Sequence, residues 1–162
     1  TADLDLPETA AAGFYQRIGP SLVLLGDVWW TGWSSFEELR VKYASNQPDS
    51  VTDESWDDTW RFSLGLSYAM NERWTLRCGT AYDRTPIPDD EHRTPRIPDS
   101  DRTWLTAGCG YCPNDTICLD LGYGHIFFDD SRIDTTGATG NRLAGGYEGD
   151  ANILSLQVKV AL

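Results

Sequence analysis

Two histidines and a run of acids near position 90 are the side chains that most invite a chemical reading. His92 follows Asp89, Asp90 and Glu91, whereas His125 stands far along the chain in Gly124-His125-Ile126. Serine-type hydrolysis needs a serine and a histidine on neighbouring elements, facing the same way. No serine can be placed opposite either histidine, so both are read as exposed or interfacial and no catalytic residue is assigned. Asp89, Asp90, Glu91, Asp99 and Asp101 form the densest group of carboxylates. Calcium takes several oxygen ligands at once, but this spacing fits no calcium loop. The group reads as a solvated acidic surface, and neither a metal nor another cofactor is expected.

The chain of 162 residues carries 25 acidic against 13 basic side chains, a net charge of −12. Nucleic-acid binding needs a basic stripe, so a nucleic-acid partner is excluded. The length suits one domain. The longest apolar run, Leu22 to Leu25, falls far short of the roughly 20 residues of a membrane-spanning helix. The start, Thr1-Ala2-Asp3-Leu4-Asp5, lacks the basic and apolar segments of a signal peptide. Either a signal has been removed or the sequence is a piece of a longer one.

The elements that must position these residues are strands. In Trp60–Tyr68 the apolar Trp60, Phe62, Leu64, Leu66 and Tyr68 alternate with Arg61, Ser63, Gly65 and Ser67. Period 2 gives a strand with one oily and one polar face. Trp74, Leu76, Cys78, Thr80 and Tyr82 repeat the design against Thr75, Arg77, Gly79, Ala81 and Asp83. Similar alternation follows around Leu105, Leu121 and Leu156, and upstream at Leu22, Leu24, Val28 and Trp30. The pattern predicts seven strands: Thr9–Ile18, Ser21–Ala44, Trp56–Met70, Trp74–Asp83, Arg102–Cys112, Thr116–Arg132 and Glu148–Leu162. The second is unusually long, with a bulge expected near Gly32. Short turns at Gly19-Pro20, Asn71-Glu72-Arg73 and Pro113-Asn114-Asp115 alternate with long connections at Ser45–Ser55, Arg84–Asp101 and Ile133–Tyr147. That rhythm marks an up-and-down antiparallel sheet with two unlike ends.

Alternation alone suits two solvents. A soluble sandwich or barrel points its oily face into a core, whereas an outer-membrane barrel points it at lipid and keeps a polar interior. Aromatics at both ends of the oily faces resemble the girdles of membrane barrels. The other face holds Arg61, Arg77, Asp83, Asp120, Gln157 and Lys159 among glycines, as a crowded lumen would. These features favour an all-β transmembrane barrel.

Longer strings carry a resemblance. Leu6-Pro7-Glu8, Val28–Phe36, Trp56–Leu66, Trp74–Gly79, Tyr82–Asp89 and Arg96–Leu105 together resemble the C-terminal part of the outer-membrane long-chain fatty acid transporter family, the FadL-like proteins. The resemblance runs through nearly the whole chain in order. It implies a barrel of about fourteen strands, plugged by an N-terminal hatch and carrying hydrophobic molecules across the outer membrane of a Gram-negative bacterium. Residues 1–162 are then the C-terminal part, with the hatch and the first half of the barrel absent. The long connections face the outside of the cell. Such barrels usually end in Phe, whereas this sequence ends in Leu162.

The same resemblance implies the partners: a long-chain fatty acid or other hydrophobic small molecule, outer-membrane lipid and lipopolysaccharide, and a monomeric barrel when complete. A guanidinium binds a carboxylate through paired hydrogen bonds, which makes Arg61 and Arg77 candidate headgroup contacts. The competing reading is a structural ladder, with both neutralised by Asp27, Asp83 or Asp120. Trp29 and Trp104 are candidates to line a pocket for the tail, or to fill the barrel. Two other classes of function stay open: a structural or adhesion-type barrel without a transported ligand, and a soluble lipid-binding barrel. Cys112 and Cys118 flank a turn that the resemblance places in the oxidising periplasm, both on the inner face. They are a disulfide candidate. Cys78 and Cys109 take outward parity as small lipid-facing residues.

Overall fold

The computed structural model describes residues 6–45, 47–137 and 140–161. Leu162, the unusual terminal residue, lies outside them. Seven long strands build one antiparallel sheet: β1 Thr9–Ile18, β2 Leu22–Thr31, β5 Thr59–Ala69, β6 Trp74–Asp83, β7 Arg102–Tyr111, β8 Ile117–Phe128 and β11 Asp150–Val160. They pair strictly in chain order, so the topology is up-and-down. No pairing joins β1 to β11 among the described residues, and the sheet is open.

Register follows the alternation. Opposite pairs place Trp60, Phe62, Leu64, Leu66, Leu76, Leu105, Leu121, Leu156 and Val158 on one face. Arg61, Ser63, Arg77, Gly79, Thr106, Asp120, Ser155 and Gln157 share the other. A one-residue slip would exchange the two sets on any strand. The oily face is bare: Phe62 is 54 % and Leu121 51 % exposed. Water is a poor solvent for that surface; hydrocarbon is a good one.

Asparagine shapes two of the short turns in the same way. The Asn71 side-chain oxygen accepts from the backbone N–H of Arg73 and Trp74 at 2.9 and 3.0 Å. Asn114 accepts from Thr116 and Ile117 at 3.0 and 2.8 Å. These side-chain turns mimic a backbone turn. At Gly19 the backbone takes φ 68°, which glycine adopts without strain.

The long connections depart from expectation. The strand expected over Ser21–Ala44 ends at Thr31 and gives way to a 3-10 turn, Trp33–Ser35. Beyond it β3, Glu38–Val41, pairs with β4, Ser50–Asp53. Trp33 and Phe36 leave the sheet because they pack into a separate loop core with Trp56 and Ile87. The strand expected over Thr116–Arg132 likewise stops at Phe128, and a hairpin of β9, Ser131–Thr136, and β10, Arg142–Tyr147, begins within its last residues and runs through the connection read as Ile133–Tyr147. The end of the sheet that bears the long connections therefore carries a folded cap.

Candidate functional site

One row across the inner face defines the site. Trp29 on β2 stands opposite Arg61 on β5, Arg61 opposite Asp83 on β6, and Asp83 opposite Arg102 on β7. Because strand partners share a face, these four side chains project together at the capped end of the sheet. Loop residues stand beside them and leave the space partly open. The result is a cavity of about 600 Å³, with Trp33, Trp56, Pro86, Ile97 and Pro98 supplied by the cap.

Its electrostatics run against those of the chain. Arg61, Arg84, Arg96 and Arg102 line it against only Asp83 and Asp99. Arg102 engages both acids, Asp83 at 3.1 Å and Asp99 at 3.0 Å. Arg96 donates to the Thr52 hydroxyl at 3.1 Å. Arg61 makes no ion pair among the described residues and lies over the Trp104 ring, 5.5 Å from its centroid. That contact steadies the guanidinium without neutralising it. The Trp104 indole N–H, buried beside it, has no acceptor among the described residues. Cationic donors set among indole rings can take an anionic head and an apolar body together.

The sequence candidates thus separate. Arg61 and Trp29 line the cavity, and Trp104 lies under Arg61. Arg77 lies nearer the short turns, in a ladder with Asp120 at 2.7 Å, which Lys159 also reaches at 2.9 Å. Glycines leave room for this ladder. A Cβ on Gly110 would stand 2.8 Å from the Asp120 carboxylate, and one on Gly122 would stand 2.7 Å from the Ser155 hydroxyl. Sequence reading missed Arg84, Arg96 and Arg102. They lie within the strings Tyr82–Asp89 and Arg96–Leu105, the one signal that pointed at this region.

Other candidates find separate places. The Asp89 carboxylate accepts from the backbone of Glu91 and His92 and from the His92 ring at 2.8 Å. That ring bond holds Asp89 below the usual carboxylate range and pushes His92 up. Asp90 pairs with Arg93, Asp99 with Arg102, and Asp101 accepts from Thr85 and Tyr82. Among the described residues no three metal-ligating side chains converge. His125 bonds Asn152 at 2.9 Å on the outward face. Cys112 and Cys118 are joined, Sγ to Sγ 2.06 Å, with Cα atoms 4.1 Å apart. Cys78 and Cys109 are free thiols opposite Ala107 and Leu76 on the oily face.

An open, all-β antiparallel sheet with an oily outer face and a polar inner face is the class of structure that forms the wall of an outer-membrane barrel. Residues 1–162 match the family model described as outer membrane protein transport protein (OMPP1/FadL/TodX), and the chain belongs to that family. A long-chain fatty acid transport protein of Escherichia coli O6:H1 is 38 % identical over 123 residues, covering 76 % of this chain and 27 % of that protein. A putative outer membrane protein of Neisseria meningitidis serogroup B is 27 % identical over 164 residues, covering 93 % and 35 %. The crystal structure of a Pseudomonas aeruginosa FadL homologue superposes with a TM-score of 0.89 at 30 % identity, over 98 % of this chain and 36 % of that one. The Pseudomonas putida toluene transporter TodX shares the fold, with a TM-score of 0.71 at 18 % identity. The chain thus spans between about a quarter and just over a third of the relatives it matches.

Proposed function

We propose that this sheet is part of the wall and outer mouth of a barrel that carries long-chain fatty acids, or hydrophobic compounds of similar chemistry, across the outer membrane. The observation that carries the reading is the cavity: four arginines against two aspartates, walled by tryptophan, in a chain of net charge −12. An acyl carboxylate would pair with Arg61, which projects from the sheet into the cavity and makes no ion pair among the described residues. Trp29, Trp33 and Trp56 would line the tail. Arg77 is assigned to the wall, because Asp120 already occupies it.

Binding of oleate and of oleyl alcohol to full-length protein in detergent tests this. Charge-assisted hydrogen bonds contribute about 1.5–3 kcal/mol, so Arg61→Ala should weaken oleate by roughly tenfold or more and leave the alcohol nearly unchanged. Equal losses for both ligands would make Arg61 a structural residue.

A further inference from the structure

Glu54 is the most deeply buried charged side chain among the described residues, at 1 % exposure. It sits at the end of β4, beside the loop core of Phe36, Trp56 and Ile87. The backbone around it is pinned. Glu54 and Ser55 both donate their N–H to the Glu37 carbonyl at 2.9 Å. Ser55 takes φ 41°, a left-handed conformation that costs a non-glycine residue energy. The Trp56 indole N–H donates to the Glu54 carboxylate at 3.1 Å. The Trp56 ring meets Trp33 and Phe36 edge-on, with centroids 5.0 and 4.9 Å apart. Trp33 and Trp56 then face the cavity.

An apolar side chain of the same size would fill this core without the cost of desolvating a carboxylate. What the carboxylate adds is a directed acceptor for one indole. Charges reach it from two elements: Arg96 and His92, on the connection between β6 and β7, favour the ionised form, and the neighbouring Asp53 opposes it. Burial outweighs them and pushes the Glu54 carboxyl above its ordinary range.

We propose that Glu54 is a positioning residue of the cavity, whose carboxylate fixes the Trp56 indole and, through it, the Trp33–Trp56 wall along which an acyl chain lies. The role of that wall rests on the reading of the cavity given above. The sign of the pH effect follows from the raised pKa. The folded cap holds the Glu54 proton more tightly than the unfolded chain does. The contribution is full below the unfolded value and is lost as pH rises through the folded one. The acceptor seen by Trp56 therefore changes from neutral to ionised above the ordinary glutamate range.

The indole N–H resonance of Trp56, assigned by its loss in Trp56→Phe, is followed in full-length protein from about pH 4 to about pH 8. It should shift with a single transition in the wild type and show none in Glu54→Gln, which keeps an acceptor but cannot titrate. Affinity for oleyl alcohol should fall about fivefold or more in Glu54→Leu and stay within about twofold in Glu54→Gln. A resonance that does not titrate, a transition that survives in Glu54→Gln, or equal affinities in the two variants would overturn the assignment. If Glu54→Leu fails to fold, the Glu54→Gln titration still decides. If the wild type binds no oleyl alcohol, the cavity reading fails, while the titration judges Glu54 independently.

Discussion

Trp56 and Trp60 lie one short stretch of chain apart and live in opposite worlds. Trp56 is 8 % exposed, packed among Trp33, Phe36 and a buried carboxylate. Trp60 is 47 % exposed, at the rim of a bare oily face. The difference separates two ways of being stable. The cap has an inward apolar core of its own, into which one carboxylate, Glu54, is buried on an indole N–H. The sheet reverses that order, with Leu64 and Leu66 outward and the ladder of Arg77, Asp120 and Lys159 within. The cavity forms where the two orders meet. The sheet supplies a cationic row at fixed strand spacing, and the cap supplies indole walls.

Each half of that comparison can be broken separately. The largest effect belongs to the cap. Phe36→Ala removes a ring that is 7 % exposed and should cost about 3–5 kcal/mol of cap stability. Limited proteolysis should then cut within residues 37–58 while the strand signal in circular dichroism persists. Loss of both together would mean that cap and sheet fold as one unit. Next comes the sheet. Leu64 sits midway along the oily face between Trp60 and Tyr68. Leu64→Arg should cost about 2–4 kcal/mol in lipid vesicles if that face meets hydrocarbon. A near-zero cost, measured by urea unfolding of the full barrel, would put water or protein there instead. The smallest effect is at the opposite end. Cys112→Ser opens a short loop and should cost about 2 kcal/mol by the chain-entropy estimate. Oleate affinity should not change, because the bridge flanks the short turns and the cavity lies under the cap.

The same comparison explains what could be read from sequence. β6 runs over the stretch that alternation predicts, Trp74–Asp83, and β1 over the weaker strand expected at Thr9–Ile18. A half-wet strand writes its two faces into consecutive residues, so parity alone places Arg61 and Trp29 inward. The cap has no such local code. Phe36, Trp56 and Ile87 come from three connections and meet only after the chain has folded. Leu39 and Val41, within the long strand expected to Ala44, belong to a separate hairpin. Parity also could not separate Arg61 from Arg77. Both face inward, and what divides them is register: Asp120 reaches Arg77, while Asp83, the partner opposite Arg61, is taken by Arg102. Arg84 and Arg96 enter the site through loop closure, which no periodicity records.

On the proposal made here, the cationic row under the cap receives the head of an acyl ligand. The most direct measurement is photo-crosslinking of full-length protein with a long-chain fatty acid bearing a diazirine beside its carboxylate, followed by peptide mapping. The account predicts adducts on the segments holding Trp29, Arg61 and Trp104, and their loss when excess oleate is present. Adducts concentrated instead around Arg77 and Asp120, or on the outward face at Leu64 and Leu121, would contradict it.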